Sequence, residues 1–337
     1  MPRSSQAMTH FEKATAAYLH NLEATGASPQ TVQNYSQRLD AFTNFMWNNG
    51  YTIEGPSFVV VQAWRDSLRE SGLKLTSISQ YLVELRAFFT WASDPEMGEH
   101  RWYESNPVAR SLMPDTRKAD KRPYDALLTD QQVMQLWRNN PVRTNRPEFW
   151  PRNYAIIILL LTTDIRNSEL LDLTPDDLDF ENSELVINHG KGDKYRVVPF
   201  PALAQTAVRL YLDSGLRPDG LPGDAPLFGT MGEVSNRREW GRGTRIWLTN
   251  MVERHVKAVT GVPNIRSHDL RHVGARIDLN SGMSLEELQA KLGHESMNTT
   301  QRYSGKLSSR RGRDSAKKVL QERDIQARRN AEMLKGA

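Results

Sequence analysis

Apolar residues in the first ninety or so positions recur at three- and four-residue steps. Phe11, Ala14, Tyr18 and Leu22 form one stripe. After Ser28-Pro29, an N-cap followed by proline at the first helical position, Val32, Tyr35, Leu39, Phe42 and Met46 form a second. The theme repeats over Phe58 to Leu68 and over Ser77 to Trp91, the latter with Ile78, Leu82, Leu85 and Phe89. Four amphipathic helices in about 90 residues predict a small helical domain whose aromatics form its core.

The rhythm breaks between Asp94 and Leu127. Pro95, Pro107, Pro114 and Pro123 and the charged run from Arg117 to Arg122 read as an inter-domain linker. The organisation expected is a helical domain over residues 1–112, a linker over 113–125, a second domain over 126–305, and a basic tail or helix over 306–337. The second domain opens on Thr129-Asp130-Gln131-Gln132, a capping box. Helices are expected over Gln131 to Trp137, Asn153 to Thr162 and Arg166 to Leu171, the run from Ala155 to Leu161 being a buried one. The period then changes to two: Glu184 to Asn188 and Tyr195 to Phe200 read as a hairpin around His189-Gly190-Lys191-Gly192-Asp193. Asp176, Asp177 and Asp179 read as a turn after Thr174-Pro175. Helical patterns return over Ala202 to Ser214, Arg245 to Val259 and Asp269 to Ser281. Ser284 with Glu287 caps a further helix ending near Gly293. The tail from Ser309 to Leu334 reads as a basic helix. The fold class is therefore mostly α, with a small sheet or hairpin in the second domain.

Composition narrows the function. Hydrophobic residues are 38% and charged residues 25% of the 337, ordinary for a globular chain. No apolar run approaches the roughly 18 residues that span a bilayer. The absence of cysteine excludes disulfides, zinc-thiolate sites and thiol nucleophiles. Together with an N-terminus that shows no signal-peptide pattern, it fits an intracellular protein, and a cytoplasmic location on DNA is expected. Net charge is +4, unevenly spread. Residues 1–120 carry 11 Lys+Arg against 13 Asp+Glu, residues 121–337 carry 33 against 27, and residues 306–337 carry 10 against 4. A basic C-terminal part fits either a polyanionic partner such as nucleic acid or a solvated basic tail.

Five segments stand out, in this order: Thr163-Asp164-Ile165-Arg166-Asn167-Ser168-Glu169-Leu170; the hairpin with Lys191; His268-Asp269-Leu270-Arg271-His272; Leu292-Gly293-His294; and Thr299-Thr300-Gln301-Arg302-Tyr303, with Tyr303 nine residues after His294. Taken singly, each has a plain structural reading. Tyr303 would pack a helix, Lys191 would be a solvated turn residue, and His272 would be buried against its own helix. As an ordered set they resemble the tyrosine recombinase, or phage integrase, family. That family has Arg in a T-G-x-R-x-S-E-L context, a hairpin Lys, H-x-L-R-H, L-G-H and a Tyr nine residues later. The resemblance covers Leu128 to Tyr303, and the helical N-terminal domain is similar to the family's SAM-like core-binding domain. One position departs: Asp164 stands where the family has glycine.

The resemblance implies a DNA strand-cleaving and rejoining enzyme. Cutting a phosphodiester by in-line attack builds negative charge on the non-bridging oxygens, which fixed cationic donors must meet. Arg166 and Arg271 suit this role because the guanidinium fork donates bidentately and stays charged, with His294 as a further donor. Tyr303 would be the nucleophile and His268 the base that accepts or orients its proton. Lys191 would protonate the departing oxygen, with Lys194 as the near alternative. The product would be a 3′-phosphotyrosine and a free 5′-hydroxyl, so rejoining would need neither metal nor ATP, and no cofactor is expected.

The family fold implies a C-shaped clamp on duplex DNA with an inverted-repeat core site. With only about ten residues before the first helix, the two-domain type without an arm-binding domain is expected. It also implies a homotetramer of two dimers on DNA exchanging strands through a Holliday junction, with accessory DNA-bending factors as further partners. The tail would dock on a neighbouring subunit through Val319, Ile325 and Met333. Two other classes stay open: a non-catalytic DNA-binding relative, and another phosphotyrosine enzyme such as a type IB topoisomerase or a telomere resolvase.

Overall fold

In the computed structural model the chain divides into two units, Met1–Lys121 and Arg122–Ala337. The structure describes residues 10–51, 56–116, 127–138, 147–188, 195–234, 237–293 and 310–336.

The first unit is built on α1 (His10–Ala24), α2 (Pro29–Asn48), α3 (Phe58–Glu70) and α4 (Leu75–Ala92). The Ser28 hydroxyl accepts from the Thr31 amide at 3.2 Å, the cap expected ahead of Pro29. The stripes converge: Phe11, Phe42, Trp64, Leu82, Leu85, Phe88 and Phe89 are each at most 2% exposed. Their rings meet edge to face, Phe11 on Phe88 at 5.2 Å, or tilted, Phe42 on Trp64 at 4.8 Å. Such rings each remove roughly 150–250 Å² from water, which makes them the main source of cohesion in a unit this small. The buried Glu84 carboxylate is answered by Arg38 and, at 2.8 Å, by Gln80.

The second unit holds α5 (Asp130–Trp137), α6 (Trp150–Thr162), α7 (Asn167–Asp172), β1 (Leu178–Asp179), β2 (Glu184–Ile187), β3 (Arg196–Pro199), α8 (Ala202–Asp213), β4 (Gly229–Val234), β5 (Arg237–Arg242), α9 (Arg245–Thr260), α10 (Ser267–Ser281), α11 (Leu285–Leu292) and α12 (Arg310–Gly336). Every residue of α6 from Tyr154 to Leu161 is buried, as a helix apolar on all sides must be. Helices α8, α9 and α10 pack around it. The expected capping boxes form at both Thr129/Gln132 and Ser284/Glu287. Strands β1, β2 and β3 make one antiparallel sheet in that order, with Ile187 paired to Arg196. Local hydrogen bonds account for the acidic run. Asp177 accepts from the Thr174 amide at 2.7 Å, and Asp179 accepts from the Glu181 and Asn182 amides.

Three features differ from the expectations. The helix expected to begin at Arg166 begins at Asn167, and Arg166 is its extended N-cap. The β4–β5 hairpin fills a stretch for which no element was expected, and the Trp240 indole pins its base by donating to the Pro226 carbonyl at 3.0 Å. Helix α12 lies on α5, α8 and α10 of its own unit. Val319, expected to dock on a neighbour, is fully buried there, and the Asn330 amide donates to Tyr154 Oη at 3.3 Å. Ile325 and Met333 stay exposed.

Candidate active site

Helix α6 ends at Thr162 with Thr163 as its C-cap, and their hydroxyls donate back to the Ile158 and Leu159 carbonyls. The chain then turns through Asp164 in the left-handed region at φ +54°, a conformation that costs an L-residue energy and that Asp tolerates better than most. That reversal delivers Arg166 to the head of α7. Glu169, one turn into the helix, takes the Arg166 amide at 2.7 Å and the Arg166 Nη1 at 2.6 Å. The same carboxylate receives both terminal nitrogens of Arg196, at 2.8 and 2.7 Å, from the start of β3. Burial alone would raise the Glu169 pKa, but hydrogen bonds from Arg196 and Arg166 outweigh it and hold the group at about 2. Glu169 is thus a clamp between two arginines that stays charged at neutral pH.

Arg271 rises from the first turns of α10 and is 2% exposed. Its Nη1 donates to the Asp164 carbonyl and its Nη2 to the Leu292 carbonyl at 2.7 Å. Burial first, then the charge of Arg166, draws its pKa down to about 10, so it remains a cation at neutral pH. Arg166 Nη2 donates to the next carbonyl, Gly293, at 2.6 Å. Two arginines that lie 105 positions apart in the chain therefore converge on adjacent carbonyls at the C-terminal end of α11. Gly293 closes that helix at φ +61°, and a Cβ there would press on the Arg196 guanidinium at 3.2 Å. The turn requires glycine on both counts.

His268 stands one turn before Arg271 on α10, its ring 4.5 Å from that of His272. Burial, then the positive charge of Arg271 opposed by Asp269 and reinforced by Arg166, lowers its pKa from the ordinary imidazole value. Its ring is accordingly neutral at physiological pH, the form able to accept a proton. His272 is half-buried beside it rather than enclosed in the core.

Of the six residues expected to carry chemistry, Arg166, His268 and Arg271 come within mutual electrostatic reach. Lys191, with its alternative Lys194, and His294 and Tyr303 lie outside the described residues. The chain reaches the arginine pair at Gly293, the residue that precedes His294 in sequence. Two contributors were not singled out from sequence: Glu169 and Arg196. Glu169 was legible as the glutamate three residues after Arg166, the spacing of a capping box. Arg196 carries no local signal, since its partner Glu169 lies 27 residues away in the chain.

With the geometry in place, comparison with known proteins decides the family. The phage integrase family model matches residues 127–310, more than half of the chain. The chain belongs to the phage integrase family. The family's N-terminal SAM-like domain model matches residues 16–95 in the first unit. Among curated relatives, tyrosine recombinase XerC of Bacillus pumilus is 31% identical over 307 residues, covering 88% of this chain and 92% of its own. Tyrosine recombinase XerC of Oceanobacillus iheyensis is 30% identical over 283 residues, covering 82% and 86%. Among solved structures, XerH site-specific recombinase bound to palindromic difH substrate superposes with a TM-score of 0.67 at 22% identity, covering 89% of this chain and 82% of that one. The Tn1549 transposon integrase in complex with circular intermediate DNA gives 0.64 at 21% identity, covering 93% and 99%. At those identities the likeness is one of fold, and it extends over both units of this integrase-family chain.

Proposed function

We infer that this chain is a tyrosine-type site-specific DNA recombinase. The observation that carries the reading is the convergence of Arg166 and Arg271, from two distant segments, on the Leu292–Gly293 turn that leads into His294. A metal-independent phosphoryl transfer needs such fixed cationic donors where charge develops on phosphorus.

Tyr303 Oη attacks the scissile phosphorus in line with the 5′-oxygen of the next nucleotide. His268, neutral at working pH, takes or orients the phenolic proton. Arg166, Arg271 and His294 meet the non-bridging oxygens. Lys191 gives a proton to the departing 5′-oxygen. The products are a 3′-phosphotyrosine and a 5′-hydroxyl, and attack by a 5′-hydroxyl of the partner strand reverses the step on a new duplex. Because the phosphodiester energy is kept in the tyrosyl ester, no ATP and no cofactor is required. Both units engage a duplex with an inverted-repeat core site, and strands exchange through a Holliday junction within a homotetramer in the cytoplasm. Ile325 and Met333, exposed on α12, would face a neighbouring subunit in that tetramer.

The test is covalent trapping. Wild type and Tyr303→Phe are mixed with nicked suicide duplexes bearing a randomised core, in EDTA and without ATP, and run on denaturing gels. A slow-migrating adduct with wild type alone supports the reading and, once sequenced, identifies the site. A gel shift without any adduct would put a non-catalytic DNA-binding role in its place.

A further inference from the structure

Asp164 occupies the motif position at which glycine is the family pattern, and its side chain is fully buried. It sits at φ +54°, where glycine would be unstrained. A carboxylate sealed from water in that conformation needs a partner. The partner is Lys291 of α11, itself 8% exposed, with Nζ 3.0 Å from Asp164 Oδ2. The same ammonium donates to the Thr162 carbonyl at 2.9 Å and pairs with Asp278 of α10. One cation therefore ties the end of α6, the turn before Arg166, α10 and α11.

The tie is aimed at Arg271. The two carbonyls that fix its fork belong to Asp164 itself and to Leu292, the neighbour of Lys291. Helix α10 is shaped to admit the carboxylate: a Cβ at Gly274 would strike Asp164 Oδ1 and lie 2.6 Å from the Leu161 carbonyl. Among the described residues, the charged groups facing Asp164 are Lys291, Asp278 and Arg271. Burial raises the Asp164 pKa and Lys291 opposes the rise. The ammonium, which burial alone would weaken as a base, is held protonated by the two carboxylates.

We propose that Asp164, Lys291 and Asp278 form a buried ionic strut that positions Arg271 for attack on the scissile phosphate. The role rests on the recombinase reading above. Asp164 and Lys291 act as a matched pair, so that either alone is harmful and glycine at 164 is compatible only with an uncharged residue at 291.

A double-mutant cycle on the full chain tests this with Asp164→Gly, Lys291→Met and the paired variant Asp164→Gly/Lys291→Met. Each protein is measured for urea unfolding, for affinity to uncleaved duplex, and for single-turnover adduct formation on the suicide substrate. Lys291→Met is expected to lose cleavage rate on the order of a hundredfold, the scale of a misplacement near 1 Å. Its DNA affinity should stay at the wild-type value, and the paired variant should recover most of the rate. Cleavage losses that simply add overturn the proposal, even if unfolding shows coupling, because the pair would then only stabilise the fold. Unchanged cleavage in both single variants overturns it too. A wild type that forms no adduct instead refutes the recombinase reading and the aiming role with it, while the unfolding cycle still reports whether the pair exists.

Discussion

Replacing Glu169 by Gln tests the clamp that holds Arg166. The carboxylate is 1% exposed on its side chain and receives four donors, two from Arg166 and two from Arg196, at 2.6 to 2.8 Å. Its pKa falls from 4.5 to about 2 on folding. At 1.36 kcal/mol per unit this gives about 3 kcal/mol of stability at neutral pH. Breaking a buried ion pair from one side costs on the order of 3–5 kcal/mol, in agreement. The sign follows from the depressed value. The contribution is complete above the unfolded pKa of 4.5, shrinks to roughly 2 kcal/mol at pH 3.5, and vanishes as pH drops through about 2. Urea unfolding of wild type and Glu169→Gln from pH 7.5 to 3.5 should show a gap of about 3 kcal/mol that is flat above pH 5 and narrows below it. Adduct formation should fall on the order of a hundredfold, because Arg166 loses the carboxylate that holds its Nη1 and keeps only the Gly293 carbonyl on Nη2. A gap under about 1 kcal/mol, or one that does not change with pH, would refute the clamp.

Gly274→Ala should destabilise the second unit by about 1–3 kcal/mol, since its methyl meets Asp164 and the Leu161 carbonyl; a wild-type melting temperature would contradict this. His255 is buried in α9, and burial lowers its pKa to about 4, so the folded state binds fewer protons than the unfolded chain between pH 6.5 and 4. Stability should therefore drop by roughly 2.5 kcal/mol between pH 7 and 4.5 from this group, and His255→Leu should flatten that part of the melting-temperature profile. Deleting residues 310–337 should lower the melting temperature, because it strips Val319 and Ala327 from the core and Asn330 from Tyr154 and Thr206. Equal melting curves for the truncated and full-length chains would show that α12 is not part of the unit.

Wherever interactions are local, the sequence was readable. The all-apolar run of α6, the stripes of α1 to α4 and the capping boxes at Thr129 and Ser284 each involve residues within one or two turns. Their elements stand within a few residues of the expected positions. The β4–β5 hairpin was not readable: Gly-Thr-Met-Gly-Glu-Val and Arg-Arg-Glu-Trp-Gly-Arg lack the alternation of a half-buried strand. The hairpin is anchored instead by the Trp240 indole and by Arg242, which reaches back to Asp172. In the site, the motifs supplied Arg166, His268 and Arg271. Arg196 and Lys291 are an exposed-looking arginine in a strand and a lysine on an amphipathic helix until the fold sets them against Glu169 and Asp164. Val319 is covered by its own unit, a placement the sequence could not tell from docking on a neighbour. The apolar stripe of α12 reads the same whether it covers its own unit or another's.

The most direct test of the account is to locate the covalent bond. Wild-type protein trapped on its suicide duplex would be digested with nuclease and trypsin, and the peptide Tyr303-Ser-Gly-Lys306 examined by mass spectrometry. The account predicts that this peptide carries a nucleotide through a 3′-phosphate on the Tyr303 oxygen. An adduct mapped to any other residue, or DNA cut without a protein–DNA bond, would contradict it.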